Sequence, residues 1–414
     1  MTTKTLYGGR LYWPDTLPDY TRYPSLAENK TVRVAVVGGG MSGVLCAHAL
    51  AAAGIDTLLA ERGEIAGGSS AANTGLLQFS NDIMLIDLME QVGPGSAVDF
   101  YRACRGAVEQ LEQLAARLRL DVGFRRTSSL YYASEEQDVP KLHREFEALF
   151  HNGFDVEFWE AERIAAHFPF RKAGAIVTHG DAEINPFRFV HGLADQAVRH
   201  GLAVYEHTGI TSHVPGDGVH RLTTDTGVVI EAEHVVYAIG YEPEELRGNL
   251  IKAELHRSFA LVTEPVANLG GWHKQWMMWE TKRPYLYLRT TPDGRVIIGG
   301  LDEDIEAPAL GAREIGRHTV RLMQELSALF PGLAAQPAYE WSATFGESRD
   351  GLPFIGPDPA MPGVYYCLGY GGNGTVYSML ASRLLLDMIR GEEPDPIAAL
   401  IRLDRPSPAR RLHA

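Results

Sequence analysis

Val32-Arg33-Val34-Ala35-Val36-Val37-Gly38-Gly39-Gly40-Met41-Ser42-Gly43 is the stretch on which the reading of this chain turns. A short, apolar, β-branched run is how a buried parallel strand looks. Gly38-x-Gly40-x-x-Gly43 follows it and opens a helical stretch, 42–53, with Gly54 at the C′ position. Asp56-Thr57-Leu58-Leu59-Ala60 then reads as a second strand, closed by Glu61, which lies 18 residues beyond Gly43. The glycine pattern alone is weak evidence, but strand before, helix after and acidic residue beyond are the context it needs to bind a dinucleotide. Gly38 allows the tight turn, Gly40 lets backbone approach a pyrophosphate, and Gly43 lets helix and strand pack closely. Met41 and Ser42 lie in the first helical turn, where free N–H groups and a partial positive charge face the phosphates. Glu61, with Arg62 beside it, is placed to accept from a ribose hydroxyl. The bland alternative is a glycine-rich turn with no ligand. NAD and FAD both fit this fingerprint.

The chain has 414 residues, 45% hydrophobic and 22% charged, with a formal net charge of −14. That is ordinary globular composition, too long for one core, and two or three structural units are expected. The acidic balance argues against nucleic acid as a partner and against an anionic membrane surface. Cys46, Cys104 and Cys367 are widely spaced, which supports neither a disulfide framework nor a metal site. No leader-like segment and no membrane span are evident, so a soluble cytoplasmic protein is expected.

Residues 1–30 lack periodicity and read as an irregular arm on the surface. Apolar spacing predicts an amphipathic helix over 98–118. Asn185-Pro186 starts another helix well, with Asn as N-cap and Pro at N1. Strands are expected at 131–133, through 202–240, and at 259–263, 285–289 and 296–298; helices are expected near 312–329 and 375–390. The basic tail (Arg402, Arg405, Arg410, Arg411) reads as solvated.

Three further motifs stand in order: Gly67-Gly68-Ser69-Ser70-Ala71-Ala72-Asn73-Thr74-Gly75-Leu76-Leu77, then Asp350-Gly351-Leu352-Pro353-Phe354-Ile355-Gly356-Pro357, then Gly369-Tyr370-Gly371-Gly372-Asn373-Gly374 before a helix. Together with the first glycine turn they resemble the flavin-dependent D-amino acid oxidase superfamily, nearest its glycine oxidase and sarcosine oxidase branch, over about residues 31–390. The resemblance implies an α/β fold: a Rossmann-like FAD-binding domain of glutathione reductase type (31–95, 172–250 and 340–395) intertwined with an α+β substrate domain on an antiparallel sheet (96–171 and 251–339). The arm 1–30 and a tail 396–414 lie outside both.

The same resemblance implies oxidation of a C–N bond in an amine or amino acid, by hydride transfer to flavin N5 and hydrolysis of the imine. Ser69, Ser70, Asn73, Thr74, Gly75 and Leu76 would wrap the pyrophosphate and reach the flavin. Gly371, Gly372, Asn373, Gly374 and Thr375 would bring a helix N-terminus to the flavin N1–C2=O edge, where reduced flavin is negative. Ile210 would meet adenine, with Gly240 and Gly346 also against the cofactor.

The departures are specific. The carboxylate-binding arginine expected before Asp-Gly-x-Pro falls on Phe345, and a second family arginine falls on Gly372. Arg349, Arg283 or Arg289 could replace them, or the substrate could lack a carboxylate there. The two positions that link flavin covalently in some relatives fall on Ala343 and Ala72, so non-covalent FAD is expected. A lysine that helps O2 react falls near Ile297, which leaves O2 or another electron acceptor open. Trp272, Trp276, Trp279, Tyr285, Tyr287, Trp341 and Phe345 cluster in the substrate region, mostly as core. Gln78, Tyr285, Tyr287, Thr344, Phe345 and Asn373 are the pocket candidates. An NAD-linked dehydrogenase and a flavin-binding subunit without catalysis are the alternatives.

Overall fold

The computed structural model describes residues 6–216, 218–241, 253–304 and 311–406. The strand Lys30–Val37 is the centre of the first sheet, and its last four residues are buried, as a strand covered on both faces must be. It pairs in parallel with Val229–Tyr237 on one side and Thr57–Ala60 on the other. Ala203–Tyr205 extends the sheet beyond Thr57–Ala60, and Val364–Leu368 with Phe354–Pro357 extends it beyond Val229–Tyr237. The helix Met41–Ala52 packs against both Pro186–Arg199 and Gly374–Arg390 over this sheet. Cys46 and Cys367, far apart in sequence, meet there as buried free thiols.

Among the described residues the second sheet has 10 strands. In it Ala253–Thr263 lies between Pro337–Ser348 and Val296–Glu303, all antiparallel. The strands Tyr287–Thr290, Met277–Glu280, Arg125–Tyr132, Gly174–Glu183 and Leu76–Leu77 continue it, with only Met277–Glu280 and Arg125–Tyr132 running parallel. Asn185 caps Pro186–Arg199 by accepting from Arg188 N at 3.0 Å, as its sequence suggests. Strand pairing puts Gly174–Glu183 and Pro337–Ser348 in the second sheet, although the sequence reading grouped 172–250 and 340–395 with the dinucleotide unit. Which sheet a strand joins depends on partners distant in sequence, and no local pattern marks it.

Two readings are corrected. The arm is an irregular surface segment only over residues 17–29: Tyr7–Arg10 is an edge strand paired with Pro337–Ser348, and Leu11, Tyr12 and Trp13 are buried. Trp13 Nε1 donates to Asn73 O at 2.6 Å, so the arm braces the second glycine-rich segment. Nor is the tail simply solvated, because Arg405 is buried against Asp350. Arg402 is exposed and pairs with Asp404, while Arg410 and Arg411 lie outside the described residues.

Glu145, on the helix Val139–His151, is buried beneath the start of Leu85–Val92. Its carboxylate accepts from Leu85 N at 2.8 Å and Ile86 N at 3.0 Å, orphan donors of that helix's first turn. Burial outweighs those two bonds and raises its carboxyl from 4.5 to about 7. A carboxyl whose value rises on folding holds its proton better when folded. Its contribution is therefore full below 4.5 and is lost as pH climbs through 7. Relative to Glu145→Gln, the native chain is expected to lose about 3 kcal/mol of stability across that window. Denaturant titrations at several pH values check this, and a stability difference that does not move with pH would refute it.

Candidate functional site

The predicted residues fall into two groups joined by a short bridge. The first surrounds the glycine turn. A Cβ on Gly38 would lie 2.4 Å from Ala238 O, and one on Gly43 would lie 1.8 Å from Gly38 O, so both positions are closed to any side chain. A Cβ on Gly40 would meet only Ser70 Oγ, at 3.1 Å, leaving the space above the turn open to a ligand. Glu61 Oε2 accepts from Gly39 N at 2.6 Å and Oε1 from Gly63 N at 2.7 Å, which holds the carboxylate at the turn. Arg62 packs beside Gly209, next to Ile210, the first residue of the strand Ile210–Val214. Gly240 follows Val229–Tyr237 in a left-handed conformation, φ 59°.

The bridge is made by serines. Met41 N donates to Ser70 Oγ at 2.8 Å, and Ser42 Oγ meets Ser378 Oγ at 2.7 Å. The first spends an orphan amide of Met41–Ala52 on the second glycine-rich segment. Ser42 N and Gly43 N, also in that first turn, have no intrahelical acceptor.

The second group lines a cleft. Ser69, Asn73, Thr74 and Leu76 form one side and Gly371, Gly372, Asn373 and Gly374 another, with Gln78, Tyr285, Tyr287, Thr344 and Phe345 completing the walls. All six pocket candidates therefore converge here. Ser70, Gly75, Gly346 and Thr375 are not among the lining residues; they support it from behind. A Cβ on Gly75 would lie 2.2 Å from Ile184 O and 2.6 Å from Arg289 Nη1. Gly346 O accepts from Gly371 N at 2.9 Å, and Thr375 is buried in the first turn of Gly374–Arg390.

Some side chains are committed elsewhere. Asn373 Nδ2 donates to Ser80 O at 2.6 Å and to Asn81 Oδ1 at 3.1 Å. Its amide thus fastens the 80–82 loop, so Asn373 is a positioning residue. Gln78 Nε2 donates to Ser129 Oγ at 3.3 Å, the edge of a buried network around Asp181, whose carboxyl burial raises to about 6. Of the arginines, Arg289 is sealed in the core, donating to Thr74, Gly75, Ile184 and Thr290 carbonyls. Arg349 lies on the surface 3.5 Å from Glu254. Arg283 lies nearest the cleft: it covers the Tyr285 ring at 4.6 Å and donates to Asp82 O at 2.8 Å.

Trp341 and Trp272 are core residues, as is Trp276; Trp341 Nε1 also ties down Ala72 O at 3.1 Å. Ile297 is wholly buried in the strand Val296–Glu303, away from the cleft walls. Burial raises the Tyr287 hydroxyl to about 12, and burial with Asp82 nearby lifts Tyr285 further still. Both remain proton donors at neutral pH.

The sequence reading missed Ser80, Asn81, Asp82, Tyr241, Ser258 and Asp302, and kept Trp279 out of the pocket set; all seven line the cleft. Asp82 Oδ1 accepts from Tyr285 OH at 3.2 Å, and its Oδ2 accepts from Gly372 N. A Cβ on Gly372 would sit 2.8 Å from both Asp82 oxygens, so the place where an arginine was expected is taken by a carboxylate. Only Asn81-Asp82, soon after the second glycine-rich segment, gave a local hint.

The fit to a flavin dinucleotide rests on this geometry: an open cradle at Gly40, orphan amides in the first turn, and a cleft at the far end of the serine bridge. Three cleft residues also carry a buried side-chain polar atom with no partner, Ser80 Oγ, Trp279 Nε1 and Asp302 Oδ1. Residues 33–388 match the family described as FAD dependent oxidoreductase. The chain belongs to that family. Of the two dinucleotides the glycine turn admits, this family uses FAD, which sets the NAD reading aside.

Among its relatives, the chain is 25% identical to gamma-glutamylputrescine oxidoreductase of Escherichia coli (strain K12), over 92% of this chain and 89% of that protein. It is 26% identical to glycine oxidase of Geobacillus kaustophilus (strain HTA426), over 87% of this chain and 93% of that one. The fold matches the crystal structure of glycine oxidase from Geobacillus kaustophilus with a TM-score of 0.79, covering 92% of this chain and 100% of that one at 22% identity. No helix among the described residues is long and apolar enough to cross a membrane.

Within this FAD-dependent oxidoreductase, Glu61→Ala is expected to weaken FAD retention several-fold. Because Glu61 holds two amides, a cost of about 1–3 kcal/mol is expected as well. Isothermal titration of the apoprotein with FAD, beside a denaturant curve, checks both; unchanged FAD affinity would contradict the ribose assignment.

Proposed function

We propose that the protein oxidises the C–N bond of a small amine or amino acid, giving an imine that water converts to a carbonyl compound and a released amine. The observation that carries the reading is the cleft itself: the two loops assigned to FAD meet there opposite Tyr285, Tyr287, Thr344 and Phe345. The relatives named for glycine and gamma-glutamylputrescine support a C–N bond as the target. When bound, FAD supplies the two-electron acceptor for the hydride lost from carbon.

The chain's own residues bind, orient and exclude water. Glu61 and the first turn of Met41–Ala52 are the candidate ribose and pyrophosphate contacts. Ser69, Asn73 and Thr74, with the N-terminal amides of Gly374–Arg390, are the candidates at the ring. Ala72 and Ala343 line the cleft at the two positions where a covalent link would form, and a methyl group cannot make one. FAD is therefore held by contacts alone and is expected in the supernatant after acid precipitation. Tyr285 and Tyr287 keep their protons and serve as hydrogen-bond donors. No strong base is required if the reacting amine binds neutral, because its lone pair assists departure of the hydride. Asn373 keeps the 80–82 loop against the cleft.

The test is an anaerobic screen of amines and amino acids against the yellow holoenzyme, with loss of the flavin's long-wavelength absorbance as readout. Bleaching by at least one amine is expected. A flavin spectrum untouched by every amine and amino acid would overturn the reading in favour of a subunit without catalysis.

A further inference from the structure

The cleft is acidic where a carboxylate-binding site would be basic. Among the described residues that line it there is no lysine, arginine or histidine, and there are two aspartates, Asp82 and Asp302. They differ in how they are satisfied. Both oxygens of Asp82 are used, by Tyr285 OH and Gly372 N, and Arg283 lies close enough to be stabilised by its charge. Asp302 has the Ser258 hydroxyl beside it, yet its Oδ1 is buried with no partner.

We propose that Asp302 receives a second, non-reacting ammonium group, so that the substrate is a diamine or a longer polyamine derivative. This rests on the proposed C–N oxidation. A carboxylate oxygen sealed from water without a partner is costly, and a ligand cation is what such a site lacks. Burial raises the Asp302 carboxyl to about 6, Ser258 and His256 oppose the rise, and Glu347 and Asp82 add to it. His256 is itself 2.6 Å from exposed Asp304.

Trp279, Tyr285, Tyr287, Phe345 and Tyr241 give the same cleft aromatic walls, and ring faces attract alkylammonium ions. Trp279 and Ser80, 6% and 8% exposed, each leave a side-chain polar atom unpartnered in the wall that the cleft shares with a smaller adjoining cavity. Asp302 suits the non-reacting end of the substrate. Hydride loss needs a neutral nitrogen, and an adjacent anion would instead hold that nitrogen as ammonium.

The experiment uses holoenzyme with bound FAD and reads dissociation constants from perturbation of the flavin spectrum, with anaerobic bleaching recorded in parallel. The probes are 1,4-diaminobutane, n-butylamine and 4-aminobutyrate. For the native protein, diaminobutane is expected to bind about tenfold or more tighter than butylamine, and aminobutyrate more weakly than either. In Asp302→Asn that preference is expected to vanish while butylamine affinity holds, and Ser258→Ala is expected to reduce it in part. Retained FAD colour serves as the control for folding.

Equal affinities for diaminobutane and butylamine in the native protein would overturn the proposal. So would tighter binding of aminobutyrate, or Asp302→Asn weakening both amines alike, since the carboxylate would then face the reacting nitrogen. In those cases bleaching by butylamine would leave the C–N oxidation standing. Neither perturbation nor bleaching by any amine would overturn both.

Discussion

Gly43→Ala is expected to yield a protein that no longer retains FAD through desalting. The added methyl would sit 1.8 Å from Gly38 O and 2.9 Å from Gly38 C. Those are backbone atoms of the turn itself, so no rotamer change relieves the clash. Either the start of Met41–Ala52 retreats from the sheet or the turn opens, and both displace the amides offered to the pyrophosphate. Overpacking against backbone costs about 3 kcal/mol or more, and the damage lies at the cradle, so FAD affinity should fall before the fold does. Gly106 is the control. It lies inside the helix Pro94–Arg117 with nothing within 4 Å of its Cβ, so Gly106→Ala is expected to stabilise by about 0.5–1 kcal/mol and keep the yellow colour. The absorbance ratio of flavin to protein decides, and Gly43→Ala carrying a full complement of FAD would defeat this account of the turn.

Arg405→Ala is expected to cost about 3–5 kcal/mol, the largest stability loss from any single residue near the chain's end. Arg405 Nε and Nη2 clasp Asp350 at 2.6 and 2.8 Å, and its remaining donors reach Pro353 O, Leu352 O and Arg402 O. The guanidinium also lies 4.1 Å over the Phe354 ring. Both members of the pair are nearly sealed from water, so alanine at 405 abandons Asp350 as a buried, uncompensated charge. Arg405→Lys keeps the charge but loses the planar fork, and an intermediate loss is expected. Urea midpoints measure both. A native midpoint in Arg405→Ala would return Arg405 to the solvated tail in which its sequence seemed to place it. The Asp350-Gly351-Leu352-Pro353 motif thereby acquires a structural duty: it is the anchor for the last described turn.

What could be read along the chain was whatever depends on near neighbours. The apolar run at 32–37, the glycine spacing and Glu61 named the dinucleotide site because each is a local demand of strand, turn and helix. The helices expected near 312–329 and 375–390 appear as Ala312–Leu329 and Gly374–Arg390, since periodicity and capping act within a few residues. The three glycine-rich and Asp-Gly-x-Pro motifs carried the family likeness, and with it the cleft's two loops.

What tertiary structure alone decided are the pairings between distant residues. Asp82 meets Gly372 across 290 positions, Asn373 turns its amide to Ser80 across 293, and Trp13 reaches Asn73 across 60. In the acidic run Asp302-Glu303-Asp304, Asp302 looks like any surface acid until the sheet seals one of its oxygens from water beside aromatic walls. The charge of the pocket, and so the chemistry it can hold, was set by which strands happened to lie side by side, because burial and the absence of a partner are properties of the packed chain and leave no mark on its order.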